Sequence, residues 1–154
     1  SYMDIKIRKF KISYSKKISD FIIKQFKKFN CEDVGEEGLN FFLDSHTTKH
    51  IKDNWKENYV VIIEDGNKII GVGRAKNNGW ITHCYVDEKY FHKGLGKKLM
   101  QMMEKWIKRN NIKTVFLNSS IFALGFYKRI GYKTIGGMKK HHGIPLYKMK
   151  KELF

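Results

Sequence analysis

The sequence predicts a single α/β domain, a mixed (α+β) β-sheet covered by helices. Three observations predict it. The period of the apolar residues changes along the chain: helical stripes first, then three closely spaced strands, then helices alternating with strands. The 154 residues fall in the single-domain range and bury most of what the unfolded chain exposes. Apolar residues at 42%, with 14% aromatic, supply one core, so the 30% charged content does not make the chain disordered.

The elements follow in order. Ile5, Ile7 and Phe10 alternate with basic residues as in a half-buried first strand. Ile18, Phe21, Ile22, Phe26 and Phe29 form a helical stripe that carries the first helix to about Asn30. Asp33 to Glu37 place acids at the positive end of a second helix, which runs through Leu39, Phe42, Leu43 and His46 toward Trp55. Tyr59 to Ile63 and Ile69 to Ala75 flank the turn residues Asp65-Gly66-Asn67 as a hairpin, and Asn77-Asn78-Gly79 turns the chain into a third strand, Trp80 to Val86. This is an antiparallel meander. Leu95, Leu99, Met102 and Trp106 then repeat as a third helix, Thr114 to Leu117 is a buried strand, and Ala123, Tyr127 and Ile130 mark a fourth helix closed by Gly131. Tyr132 to Ile135 and Ile144 to Lys150 supply two last strands around a Gly/His-rich loop. The expected total is about seven strands and about four helices, as one domain over 3–154. Ser1 and Tyr2 precede Met3, which reads as the native initiator, so those two are read as a remnant foreign to the natural chain.

Lysine and arginine outnumber aspartate and glutamate by 31 to 15, and a formal charge of +16 draws anionic partners. A phosphorylated cofactor and a nucleic acid both fit that field, but the lysines are scattered and no zinc-finger or RNA-recognition signature is present. Cys31 and Cys84 are too far apart for a C-x-x-C motif, and His46 and His50 lack the Glu of an H-E-x-x-H motif, so no metal site and no disulfide framework is expected. No stretch approaches the ~18 apolar residues of a membrane span and no secretory leader opens the chain, which makes the cytoplasm the expected compartment. Exposed sheet edges leave a homodimer open.

The most informative segment joins the third meander strand to the third helix. Tyr90-Phe91-His92-Lys93-Gly94-Leu95-Gly96-Lys97 places glycines where backbone can approach a ligand and where the first N–H groups of a helix point outward. Lys93, Lys97 and Lys98 crowd an end where the helix dipole disfavours cations by a few tenths to ~1 kcal/mol each, a conflict that a bound diphosphate removes. A G-x-G alone is also compatible with a tight turn and solvated lysines.

The stretch from Tyr85-Val86-Asp87 to Gly94-Leu95-Gly96-Lys97-Lys98-Leu99 resembles the acetyl-CoA-binding motif of the GNAT superfamily of N-acetyltransferases. Leu117-Asn118-Ser119-Ser120 and Phe126-Tyr127-Lys128-Arg129-Ile130-Gly131-Tyr132 resemble its second half, a strand asparagine followed by a helix ending in F-Y-x-x-x-G-[FY]. With the element order, the resemblance spans about residues 5–150, and over the first third it lies in layout more than in residues. Phe91 and His92 depart from the glutamine or arginine and the glycine common there, which touches cofactor affinity rather than cofactor identity.

The resemblance implies an acetyl-CoA-dependent transfer of an acetyl group to a primary amine by direct attack on the thioester. It implies that Cys84, Tyr85 and Val86 hold the pantetheine arm through their main chain on a strand splayed from Asn118. It also implies that Lys93, Gly94, Leu95, Gly96 and Lys97 hold the diphosphate, with His92, where the chain departs from the family, turned toward phosphate or solvent, and that Asn118 positions the arm or a water, against a structural role capping the next helix. Tyr127 is the implied general acid for the thiolate, against a core-aromatic role that its periodicity alone favours. The family's carboxylate base is missing from this strand. His83 has a suitable intrinsic pKa for a base or relay, although lone strand histidines are also structural. Glu32, Asp33 and Glu36, with Glu37, stand where the family's acceptor wall lies; they either attract a cationic amine or simply favour a helix start. His141 and His142 read as solvated loop residues. The rival class is a non-catalytic module binding acyl-CoA or nucleic acid through the basic surface, and Tyr127 and Asn118 discriminate the two.

Overall fold

In the computed structural model, which describes residues 4–154, β1 (Ile5–Lys9), β2 (Tyr59–Asp65), β3 (Lys68–Ala75) and β4 (Ile81–Val86) form one antiparallel sheet in that order. A second antiparallel sheet has the order β5 (Thr114–Ser119), β8 (Ile144–Glu152), β6 (Lys133–Thr134), with β7 (Lys139–His141) also pairing β8. The mixed α/β class stands, with eight strands and five α-helices among the described residues rather than about seven and four. The reading of Ser1 and Tyr2 lies outside the described residues.

Two apolar layers flank the first sheet. On one face lie α1 (Ser15–Phe29), α2 (Glu36–Ser45) and α3 (Thr48–Asn54), which bury Ile18, Ile22, Phe26, Phe42, Ile51 and Trp55 against Val60, Ile62 and Val72. On the other face α4 (Leu95–Arg109) and α5 (Leu124–Arg129) bury Leu99, Met100, Met103, Ile107 and Tyr127 against Val61, Ile63 and Ile81. The alternation of β2 therefore feeds both layers. Each fully buried aliphatic side chain contributes about 1.5–3 kcal/mol relative to exposure. Helix α4 lies close to β3 because Gly73 has no side chain: a Cβ there would sit 2.9 Å from Met103 Cε.

Three expectations are corrected. The second helix is two helices: α2 stops at His46, and Thr47 restarts the chain in an extended conformation, its Oγ1 accepting from His50 N–H at 3.1 Å. A threonine N-cap satisfies an otherwise orphaned helix donor, and the break turns Ile51 and Trp55 inward. The first strand is exposed along all five residues, because β1 is a sheet edge carrying Lys and Arg, with Arg8 Nε donating to Glu64 at 3.1 Å. The Gly/His-rich loop contains β7. His142 and Gly143 both have positive φ, 50° and 83°, as a two-residue hairpin turn requires, so the turn works without an Asn-Gly pair.

Candidate active site

Strands β4 and β5 are the facing edges of the two sheets, and they touch at one parallel bridge, Trp80 with Phe116. Phe116 N–H donates to Gly79 O at 3.1 Å and the two rings stack with centroids 5.5 Å apart. Beyond this apex no ladder joins the strands. Main-chain groups of Cys84, Tyr85 and Val86 that point away from β3 therefore face the cleft rather than another strand. A register shift between Arg74 and Ala75 makes Thr82 the extra residue of a bulge near the apex.

Past Val86 the chain makes a short 3₁₀ turn, Glu88–Tyr90, capped by Asp87 Oδ1, which accepts from Lys89 N–H at 2.9 Å. It then enters α4 through Gly94, whose φ of 80° is left-handed, after His92 at φ 63°. Helix α4 has no side-chain N-cap bond and no acid in its first turn, while Lys97 and Lys98 are exposed there. Its first N–H groups thus meet an approaching ligand without a protein acceptor in the way. Gly96 packs on Phe126, where a Cβ would fall 3.2 Å from the ring, and Cys84 Sγ donates to Gly96 O at 3.8 Å, tying β4 to the cradle. The donor set suits a diphosphate: main-chain N–H groups, a positive dipole end and lysines. His92, Lys93 and Gly94 are exposed, with Leu95 and Gly96 half-buried behind them.

Tyr127 is 7% exposed in the layer under β4. Burial raises its pKa well above the ordinary tyrosine value, and Cys84 and Tyr85 reinforce the shift, so the hydroxyl keeps its proton at neutral pH. That hydroxyl makes no hydrogen bond to the protein among the described residues. Burial also pushes the Cys84 thiol up to about 12, which keeps it out of the thiolate form a nucleophile needs. Asn118 is exposed at the cleft edge and does not cap α5; the turn before that helix is instead held by Ser120 Oγ, which accepts from Ala123 N–H at 3.2 Å.

His83 points to the opposite face of β4. Its Nε2 lies 2.8 Å from His46 Nε2 and its Nδ1 2.8 Å from Thr82 Oγ1, with Trp55 and Tyr85 rings at 4.8 Å and 6.0 Å. Burial, then His46 and Arg74, lower its pKa well below the usual histidine value. Glu32, Asp33 and Glu36 lie on the exposed link from α1 into the first turn of α2, and no hydrogen bond or ion pair brings them to β4 among the described residues. His141 and His142 are less isolated than a solvated loop: Phe41 of α2 stacks on His142 with centroids 3.9 Å apart. Sequence reasoning missed two features. Thr82 and His46 join His83 although the two histidines lie 37 positions apart, a distance over which no local pattern could signal contact. Phe29 at the end of α1 meets Phe91 and Phe122, which precede α4 and α5, with centroids 4.9 Å (Phe29–Phe122) and 5.4 Å (Phe29–Phe91) apart. No described helix is long and apolar enough to cross a membrane, and no group of three or more His, Cys, Asp or Glu among the described residues is placed to hold a metal.

Comparison with known proteins places this arrangement. The family model described as an acetyltransferase (GNAT) domain matches residues 30–153, and the chain belongs to that family. Among curated proteins it is similar to YyaT of Bacillus subtilis, 27% identical over 96 residues, which cover 60% of this chain and 65% of that protein. The chain thus spans somewhat under two thirds of that relative's length. Among solved structures it is similar in fold to a GCN5-related N-acetyltransferase from Rhodopseudomonas palustris, with a TM-score of 0.84 at 15% identity, covering 99% of this chain and 98% of the other. It is also similar to the PaiA N-acetyltransferase of Thermoplasma acidophilum in complex with coenzyme A, with a TM-score of 0.79 at 18% identity, covering 97% and 99%.

Proposed function

We propose that the protein is an N-acetyltransferase that moves an acetyl group from acetyl-CoA directly to a primary amine. The observation that carries this reading is the uncapped, glycine-led start of α4 at the end of an edge strand that diverges from β5, with Tyr127 buried beside Cys84. Acetyl-CoA, when bound, supplies the acetyl thioester. The α4 start with Gly94, Leu95, Gly96 and Lys97, flanked by Lys93 and His92, holds diphosphate, and Cys84, Tyr85 and Val86 hold the arm by main-chain hydrogen bonds, with Asn118 on the opposite wall. This orientation supplies much of the rate, because a fixed approach converts an encounter into a first-order step. Tyr127 donates its phenolic proton to the departing sulfur; its raised pKa keeps that proton in place until needed. His83, neutral at pH 7, takes the amine proton. Attack is direct, since Cys84 stays a thiol. Glu32, Asp33 and Glu36 attract a cationic amine toward the α1–α2 link in a chain of net charge +16.

Calorimetric titration with acetyl-CoA and a thiol-release assay over a panel of amines, on wild type and Tyr127→Phe, test the proposal. Binding with Tyr127-dependent release is expected. No binding near ~1 mM acetyl-CoA overturns it and moves salt-dependent nucleic-acid binding forward.

A further inference from the structure

Four groups from β4, α2 and the residue that ends α2 form one hydrogen-bond chain: Thr82 Oγ1 to His83 Nδ1, His83 Nε2 to His46 Nε2, and His46 Nδ1 to Phe42 O, each at 2.8 Å. The chain has a direction. A carbonyl can only accept, so His46 Nδ1 carries the proton that goes to Phe42 O. Ser45 Oγ, 3.2 Å from the same nitrogen, donates to Phe41 O at 2.8 Å and so leaves that proton in place. His46 is 8% exposed and burial lowers its pKa to about 4, so at pH 7 it is neutral and its Nε2 is a bare lone pair. That lone pair must accept from His83 Nε2–H. His83, also 8% exposed and neutral, then has its own lone pair on Nδ1, where it receives the Thr82 hydroxyl proton. The alternative acceptor for that hydroxyl, Arg74 O, is more distant at 3.4 Å.

The outer end of the chain is at the cleft. Thr82 is exposed, it is the bulged residue of β4, and it lies two residues past Trp80 just as Asn118 lies two past Phe116. Thr82 and Asn118 therefore flank the point where the strands part. The inner end is enclosed by Trp55, by Arg74, whose Nε donates to Asn58 at 2.7 Å and whose guanidinium stacks on Trp55 at 4.9 Å, by Tyr85, and by the exposed His50, whose charge acts on His46. No carboxylate appears among these groups, so the ring pair is neutral and held by its own hydrogen bonds and by ring contacts, His46 stacked on Phe42 at 3.9 Å and His83 against Trp55 at 4.8 Å.

We propose that His46 is a positioning residue that locks His83 in the Nε2–H tautomer, so that the basic atom is His83 Nδ1 and it is reached through the Thr82 hydroxyl. This rests on the acetyl-transfer reading. In the transfer the amine nitrogen bonds to the acetyl carbon, the carbon–sulfur bond breaks, and the sulfur takes the Tyr127 proton. The amine proton passes to Thr82 Oγ1 while the hydroxyl proton of Thr82 passes to His83 Nδ1. The resulting imidazolium keeps its Nε2–H bond to His46; after product departs its proton leaves to water by the same route, and water returns a proton to the Tyr127 phenolate, which closes the cycle.

Long-range proton–nitrogen correlation spectra of ¹⁵N-histidine-labelled protein at pH 7 read the tautomers directly: His83 protonated on Nε2 and His46 on Nδ1 are expected, and a His83 protonated on Nδ1 overturns the proposal. In the thiol-release assay, Thr82→Val is expected to lower kcat about tenfold or more with KM for acetyl-CoA unchanged, and Thr82→Ser to restore most of it. Thr82 is exposed, so the variant should fold as wild type does. His46→Leu should lower kcat likewise, while His46→Gln, whose amide oxygen accepts from His83 Nε2–H, should stay within about threefold of wild type. A Thr82→Val kcat equal to wild type, with wild type active, sinks the relay alone; a wild type that releases no thiol with any amine sinks the acetyl-transfer reading and the relay with it.

Discussion

Trp80 and Phe116 form the parallel bridge at which the two sheets meet, and Lys148 Nζ sits over both rings at 5.6 Å and 5.2 Å. The cleft exists because this pairing stops after one bridge. Gly79 makes the apex: its φ is 92° and a Cβ would fall 2.8 Å from Thr114 O. Gly79→Ala combines left-handed strain with a backbone clash and should destabilise the fold by about 2 kcal/mol or more, read as a lower urea midpoint.

The cradle separates strain from ligand contact. Gly94→Ala meets open space but must hold φ at 80°, a cost of about 1 kcal/mol; Gly96→Ala instead presses the Phe126 ring. Both should weaken acetyl-CoA binding about fivefold or more by calorimetry. Gly136→Ala, equally left-handed at φ 73° but outside the cradle, should lose similar stability and keep wild-type affinity.

Two tyrosines should respond differently to loss of the hydroxyl. Tyr132 donates to Glu104 at 2.6 Å, in a cluster with Lys151, so Tyr132→Phe should cost about 1.5–3 kcal/mol. Tyr127→Phe removes a hydroxyl that has no protein partner among the described residues and should stay within about 0.5 kcal/mol of wild type while thiol release falls. Thermal melts and the assay together check both.

The His46–His83 pair makes the fold acid-sensitive. Its folded pKa values lie below the unfolded value of 6.5, about 4 for His46, so the unfolded chain binds more protons between those limits. Stability is therefore fully present above about pH 6.5 and is lost as pH falls toward 4. His46 by itself accounts for a loss on the order of 3 kcal/mol, and His46→Gln should flatten the fall of Tm across that window.

Helix and strand positions were legible in the sequence where a period repeats over several turns, as in α1 and α4, because burial on one face demands that repeat. The split of the second helix was not: Thr47 is an ordinary N-cap residue, and only the need to bury Ile51 and Trp55 decides that the helix stops there. β7 carries exposed lysines with no apolar alternation, so nothing local distinguished it from loop. The cradle at Gly94 to Lys97 was legible because main-chain chemistry at a helix start is a local property.

The sequence by itself determined most of the elements, the resemblance to the family and the glycine-led turn into α4, since those depend on neighbours a few positions apart. The tertiary structure alone decided that β4 and β5 part after Trp80 and Phe116, that Tyr127 lies under Cys84, and that Thr82, His83 and His46 share protons. Each of these is a contact between elements brought together by burial of both faces of one sheet, and contacts of that range leave no periodic trace in the chain.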